Sequence, residues 1–509
     1  MFLALGLAAI CAIYYYYVIY LRRPQSPGQK LPPPLPPGPP ALPIIGHLHL
    51  LPKEHIWHQF KKWHDQYGPI ICIKFGSLKI VSLGSYHVVH DLLEKRSSNY
   101  SSRPKFLADR ISNGLLPTFL PFEDKWKAHH RLHTSLLTIQ ASQQYQVVQD
   151  VESKQMLRDL LGTQDFAGCF QRYASSQIFS LAFGKRMPRG DEPEVRELED
   201  VMNGILQGIS LSDEVFPALN YLPDCLASWR IRAAQLPKRQ TEIFSRNVGL
   251  ALTSGSWNWS KAARILGEKM GLKEDELWYN VGALYEAGTD STAIVLEVFT
   301  MACILYPAIV QRAQAELDAV VGMRMPTFND LPNLPYLRAI LSEIFRWRHP
   351  SPGGLHHAAD ENDVYQGFWI PKGTAVVATH FALDTDENIF ENPHAFDPDR
   401  WIRNPNLPAS SFGFGRRACP GLYVGQNSVS IAMARLLWAY DIGYAFENGQ
   451  RFEVDPWNLT EGIGVRPRPF KASFRVRGTE RQNIIERNWE GVEKDVDTLL
   501  ERAGDVFNK

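Results

Sequence analysis

Any fold that accepts this chain has to hold one cysteine at the tip of a glycine-framed loop. Residues 412–421 read Phe-Gly-Phe-Gly-Arg-Arg-Ala-Cys-Pro-Gly. Gly413, Gly415 and Gly421 permit close backbone approach and positive φ, and Pro420 keeps a helix or strand from starting before the turn is complete. Backbone N–H groups and the neighbouring Arg416 and Arg417 favour thiolate over thiol at Cys419, the form that acts as metal ligand or nucleophile. A cysteine that merely fills a buried turn would not require this frame. The other five, Cys11, Cys72, Cys169, Cys225 and Cys303, make no C-x-x-C. They indicate neither a zinc ribbon nor a disulfide framework and read as apolar residues of a reducing compartment.

Lysine and arginine number 54, aspartate and glutamate 54, so the electrostatic case for a nucleic-acid partner falls away. With 45% hydrophobic residues among 509, the chain can bury a large core. Helix-like periodicity runs over Asp275–Tyr306 and Pro307–Val321. Strand-like runs occur at Ile70–Phe75, Lys79–Leu83, Tyr365–Ile370 and Thr374–Thr379. No repeat or long Gly/Ser linker divides the chain, which predicts one large, mainly α domain with a small β region.

The two ends differ from that body. Phe2–Leu21 contains no charged side chain and, at about 1.5 Å per residue, reaches across a bilayer core as a helix. Tyr14–Tyr17 and Tyr20 gather at one end, with Arg22 and Arg23 directly after. This asymmetry favours a transmembrane signal anchor at 1–21, with the rest cytoplasmic, over a cleaved signal peptide. Half of the positions from Pro24 to Pro43 are proline, so 22–46 is expected to be a stiff hinge rather than an SH3-type ligand. Ile485, Trp489, Val492, Val496, Leu499, Ala503 and Val506 recur at spacings of three and four. They predict an amphipathic helix in a 479–509 extension that docks on the domain.

The Cys419 loop resembles the haem-binding loop of the cytochrome P450 monooxygenases, F-x-x-G-x-R-x-C-x-G, matching it at Phe412, Gly415, Arg417, Cys419 and Gly421. Two further stretches strengthen the resemblance. Glu343-Ile-Phe-Arg346 places opposite charges one helical turn apart, and Pro398-Asp-Arg400-Trp lies shortly before Cys419. In the family such residues pair and brace the haem loop, so the resemblance makes Glu343, Arg346 and Arg400 structural supports. Ala287-Gly-Thr-Asp290-Ser291-Thr292 interrupts the longest apolar stretch after the anchor, and its short polar side chains predict a kink or bulge. It resembles A-G-x-D/E-T, in which an acid and an alcohol relay protons during oxygen activation. Asp290 matches the acid, Ser291 stands where threonine is usual, and either Ser291 or Thr292 is then the alcohol. For the haem propionates, the resemblance points to Trp126 with His130 and Arg131, where W-x-x-x-R is usual, and to His357 in preference to His356.

The implied fold is the haem-thiolate fold over 47–478, with haem b held on axial Cys419. The implied reaction consumes O2, two electrons and two protons, and inserts one oxygen into substrate. With no flavin or nicotinamide fingerprint in the chain, electrons would come from NADPH-cytochrome P450 reductase in the endoplasmic reticulum membrane. Lys125, Lys127, Arg131, Arg416 and Arg417 are expected to make its docking face. Phe106, Leu107, Ile111, Leu115, Leu116, Phe119, Leu120 and Phe122, with the lip Gly462–Val465, suggest a small apolar substrate. The pattern is most similar to fungal microsomal enzymes of secondary metabolism. A thiolate-haem isomerase or dehydratase, which would not need the Asp290–Ser291 pair, and a non-catalytic haem carrier or sensor, which would show no substrate-dependent NADPH consumption, are the alternatives.

Overall fold

The computed structural model describes residues 32–105, 112–208, 215–216 and 228–507. The anchor expected at 1–21, the start of the hinge, and Phe106, Leu107 and Ile111 lie outside them. The described end of the hinge is not a free spacer. Cys72 donates its N–H to Pro37 O, and Trp369 does the same to Pro34 O, both at 2.8 Å, so the proline segment lines the sheet.

The chain continues into α1 (Ile56–Tyr67) and the hairpin β1 (Ile70–Phe75) and β2 (Leu78–Leu83), β-branched runs paired antiparallel. Helices then dominate: α2 (Asp124–Leu136), α3 (Gln146–Asp159), α4 (Phe166–Phe183), α5 (Pro193–Gly208), α6 (Ser228–Thr253), α7 (Trp259–Lys269), α8 (Glu274–Leu305), α9 (Pro307–Val320) and α10 (Pro335–Trp347). Pro307 and Pro335 stand at helix starts, where the missing N–H costs nothing. β3 (His357–Ala358) and β4 (Ala375–Ala378) complete a sheet of order β1-β2-β4-β3, in which β4 runs parallel to β2 and antiparallel to β3. The last elements are α11 (Leu422–Ala439), the pair β5 (Tyr440–Tyr444) and β6 (Ala472–Val476), then α12 (Thr479–Gly491) and α13 (Val496–Gly504).

Two sequence expectations change here. The run Tyr365–Ile370 is not one strand but a turn between Asp363–Tyr365 and Phe368–Ile370, because Gln366 (φ 50°) and Gly367 (φ 82°) are both left-handed. The terminal amphipathic run is two helices, not one. The chain turns extended at Val492, and Asp495 caps α13 by accepting from Thr498 N–H. Ile485, Leu499, Leu500 and Ala503 are buried, and Arg186 lies over the Trp489 ring.

The core is organised around α8. Its C-terminal half packs with α4, α10 and α11, while its N-terminal half packs with α2, α4, α6 and α7. This helix is long and apolar enough to cross a membrane, but 78% of its most apolar window is buried inside the molecule. It runs as one uninterrupted helix through 287–292, without the expected bulge. Ser291 Oγ and Thr292 Oγ1 satisfy themselves by donating to the carbonyls of Ala287 and Gly288 one turn back, at 2.7 and 2.9 Å. Gly288 instead admits α4: a Cβ there would meet Ile178 Cδ1 at 2.9 Å.

Candidate active site

The Cys419 loop is built by its neighbours. Cys419 N–H donates to Phe412 O at 2.7 Å, which closes the loop, and the Phe412 ring packs against Phe345 of α10 with centroids 5.2 Å apart. Gly415 (φ 58°) lies so close to the preceding layer that a Cβ would meet Leu93 O at 2.0 Å. Cys419 opens onto a recess of about 320 Å³ lined in part by His130, Arg416 and Tyr423. Protein packed on its other sides raises its thiol pKa, offset only by a hydrogen bond from Gly421 N–H. The arginines do not supply the expected thiolate stabilisation, because their side chains leave the sulfur. Arg416 reaches over Phe122, and Arg417 donates to the carbonyls of Ser101 and Leu120 at 2.6 Å. A cationic metal at the sulfur would favour the thiolate where the protein alone does not.

Behind the loop, Glu343 is completely buried and accepts five hydrogen bonds. Arg346 gives two (2.7 and 2.8 Å), and Arg400 Nε (3.1 Å), Trp401 Nε1 (2.9 Å) and Asp397 N–H (2.9 Å) give one each. Arg346 also donates to the carbonyls of Asp384, Pro393 and Ala395. One carboxylate on α10 thus ties the helix to the segment that leads into the cysteine loop.

A second cluster is cationic. Trp126 is sandwiched between His130, stacked at 4.6 Å, and the Arg417 guanidinium at 4.1 Å. Arg103 is 6% exposed and, among the described residues, donates to the carbonyls of Thr118, Leu355 and His356. His357 donates Nδ1–H to Tyr100 O at 2.7 Å, leaving Nε2 for another partner. Burial and the mutual repulsion of the two guanidiniums push Arg417 down to about 8 and Arg103, through burial, to about 10. His356 falls to about 4, and His357 well below the usual imidazole range, for the same reasons. Among the described residues no carboxylate forms an ion pair with either arginine. A buried and a half-buried guanidinium with two imidazoles, faced by Asp360 alone and not ion-paired to it, suit a group carrying two carboxylates, and haem carries two propionates. The residues fit the cofactor. Arg103 had gone unnoticed; its only signal was being the sole charged residue of 97–104. Arg131, expected here, is exposed, because it lies one residue round α2 from His130 and so faces away.

On α8, Ala287 and Ser291 are exposed in a helix that is otherwise largely buried, so this one-turn strip borders open space inside the fold. Thr292 is buried. Asp290 points elsewhere: its Oδ1 accepts from Gln171 Nε2 of α4 at 3.3 Å and lies 3.6 Å from Arg466. Acid and alcohol therefore occupy different sides of one helical turn.

The expected docking face is thinner than its composition. Arg417 is turned inward, and Lys125 is engaged with Glu276 at 3.1 Å and with Gly114 O. Arg131 and Arg416 remain exposed. Of the substrate-facing residues, Leu116, Phe119 and Leu120 are buried in the core, while Leu115 and Phe122 are partly exposed.

A family model for cytochrome P450 matches residues 36–474. The chain is 41% identical to cytochrome P450 monooxygenase FrzL of a Cladobotryum species, over 97% of this chain and 96% of that one. It is 42% identical to cytochrome P450 monooxygenase aneD of Aspergillus aculeatus, over 92% and 93%. A zebrafish cytochrome P450 solved with abiraterone superimposes with a TM-score of 0.70 at 22% identity, covering 83% of this chain and all of that one.

Proposed function

The chain belongs to the cytochrome P450 family and is a haem-thiolate monooxygenase, and on that premise we propose that it oxidises a small apolar substrate in secondary metabolism. Cys419 would hold the haem iron through its thiolate in this reading, and Arg103, Arg417, His357 and the Trp126–His130 stack would hold the propionates. When bound, the haem supplies the oxidation of substrate by O2. The protein's share is to bind, to orient and to deliver protons. Asp290, held at Oδ1 by Gln171 and Arg466, relays protons by way of water toward the exposed Ser291 hydroxyl. Ser291 acts rather than Thr292, because only Ser291 reaches the open side of α8. The observation that carries the reading is the orphaned cationic cluster beside a braced, accessible Cys419.

NADPH-cytochrome P450 reductase supplies electrons in this account, docking near Arg131, Arg416 and Lys127, and residues 1–21 anchor the chain in the endoplasmic reticulum with the domain in the cytoplasm. Reduced protein treated with carbon monoxide tests the ligand. The long-wavelength thiolate band should be present in the native protein and absent from Cys419→Ser; a band that survived the substitution would refute the assignment.

A further inference from the structure

Glu286, one turn before Asp290 on α8, is 6% exposed, and its Oε1 has no hydrogen-bond partner. Five nearby buried atoms share that condition: Tyr285 Oη, Thr289 Oγ1, Ser175 Oγ of α4 and both amide atoms of Gln240 of α6. Gln240 comes within reach of Glu286, and Ser175 and Thr289 within reach of Tyr285, yet none closes into a hydrogen bond. Single unsatisfied atoms are minor defects. Six of them between three helices form a polar zone that water would bridge, since water joins groups held slightly too far apart for a direct hydrogen bond.

The charges around this zone are unbalanced. Asp290 lies at i+4 from Glu286, and Glu297 continues the same face at i+11. Glu199 of α5 joins through Gln171, whose Nε2 donates to Glu199 at 3.4 Å and to Asp290 at 3.3 Å. Among the described residues, one guanidinium stands against four carboxyls: Arg466, which reaches Asp290 at 3.6 Å and Glu297 at 3.9 Å. The groups facing Glu286 are Asp290 and Tyr279 of its own helix and the neutral Gln240 of α6; among the described residues no ion pair reaches it. Burial first, and the Asp290 charge second, push Glu286 up to about 8, and burial raises Glu297 to about 7.

We propose that Glu286 is a protonated carboxylic acid in the resting protein and serves as a proton store behind Asp290, exchanging with it through water held between α4, α6 and α8. The step moves one proton. The Glu286 O–H bond breaks, an O–H bond forms on the Asp290 carboxylate, and Glu286 is left ionised. The store refills in the reverse direction once Asp290 has taken a proton from solvent through the half-exposed Glu199. Monooxygenation consumes two protons per turnover and Asp290 carries one at a time, so a neutral acid one turn away supplies the next. Glu286 acts through Asp290 and is a positioning residue. The inference rests on Asp290 delivering protons, as proposed above.

Infrared difference spectroscopy of the full-length, substrate-free holoprotein reads the carbonyl band of a protonated carboxyl without turnover. Glu297 and Asp384 contribute components that titrate near 7; the component that vanishes as pH rises through about 8 should be missing from Glu286→Gln and persist in Asp290→Asn. In turnover, Glu286→Gln should lower product formed per NADPH about tenfold, below the roughly 10²–10⁴-fold of a direct general acid because Glu286 acts through Asp290, leave substrate KM unchanged, and lose the alkaline limb of the pH profile. Glu286→Asp should restore part of the loss. A native-protein spectrum without that component overturns the proposal, whether or not the variants fold. A band present while Glu286→Gln keeps native coupling and pH profile reduces Glu286 to a buried structural acid and overturns it equally. Full turnover in Asp290→Asn would defeat the reading it rests on while leaving the Glu286 band in place, so the two failures are distinguishable.

Discussion

Asp290 and Ser291 are consecutive in sequence but about 100° apart around α8, which separates proton supply from proton use. Asp290 faces Gln171 and Arg466, and Ser291 faces the open strip. Removing the acid while keeping its shape, Asp290→Asn, should cut product formation by about 10²-fold or more, with NADPH consumption falling less. Ser291→Ala should divert reducing equivalents to peroxide, whereas Thr292→Ala should leave coupling near native, because Thr292 is buried. Equal uncoupling by both would show that the open-side assignment is mistaken. At this scale the sequence was informative where residue types are rare in their setting, as at Cys419. It misled where direction matters. Arg417 adjoins the sulfur in sequence, yet its guanidinium turns toward Trp126 and two carbonyls, and no spacing rule reports a side-chain rotamer.

Helices and loops meet at Glu343. Its five donors include two arginines that are themselves almost fully buried, so the carboxylate is worth most as the partner that keeps both charges paired. Glu343→Gln leaves them uncompensated and should cost about 3–5 kcal/mol, a typical figure for breaking a buried ion pair. Chemical denaturation would measure this, and haem content per chain should fall with it. A loss below about 1 kcal/mol, typical of exposed pairs, would mean the brace is dispensable. Helix limits were legible because periodicity and proline placement agree: α8 and α9 begin and end within a residue or so of expectation. The uninterrupted course of α8 through Gly288 was not, because glycine and hydroxyl residues break a helix only when nothing compensates. Here Gly288 permits contact with Ile178, and both hydroxyls bond within the helix. The terminal helices show the same limit, since a three-four spacing continues across the break at Val492 that Asp495 makes into a new start.

For the molecule as a whole, buried titratable groups set the pH dependence of stability. Burial lowers His58, His64, His129, His133 and His349 to about 4 from 6.5. The folded state then binds fewer protons than the unfolded one between those values, so these residues make stability rise with pH up to about 6.5. Glu286, Glu297 and Asp384 act oppositely: burial raises them to about 8, 7 and 7, and their contribution is lost as pH climbs through those values. With His356 also at about 4, six imidazoles outweigh three carboxyls below 6.5; between 6.5 and about 8 the carboxyls dominate, the lowered arginines losing protons only from about 8 upward. Urea midpoints should therefore peak near pH 6.5 and decline by pH 8; midpoints still rising at pH 8 would show that the acids ionise freely. The cationic cluster adds an expectation about assembly. Arg103→Leu should fold yet release haem more readily, because one buried donor for the propionates is gone, and native retention would place Arg103 outside the cofactor site. The mainly helical architecture was readable from motif order, but the union of Arg103, Trp126, His357 and Arg417 was not. Those four lie up to 314 residues apart, and only the folded chain brings them together.

Turnover under isotopically labelled dioxygen, with reductase and a metabolite extract, tests the central claim most directly. The account predicts a product heavier by one labelled oxygen atom, formed by the native protein and nearly absent with Asp290→Asn. A product of unchanged or dehydrated composition, or one carrying only unlabelled oxygen from water, would contradict it.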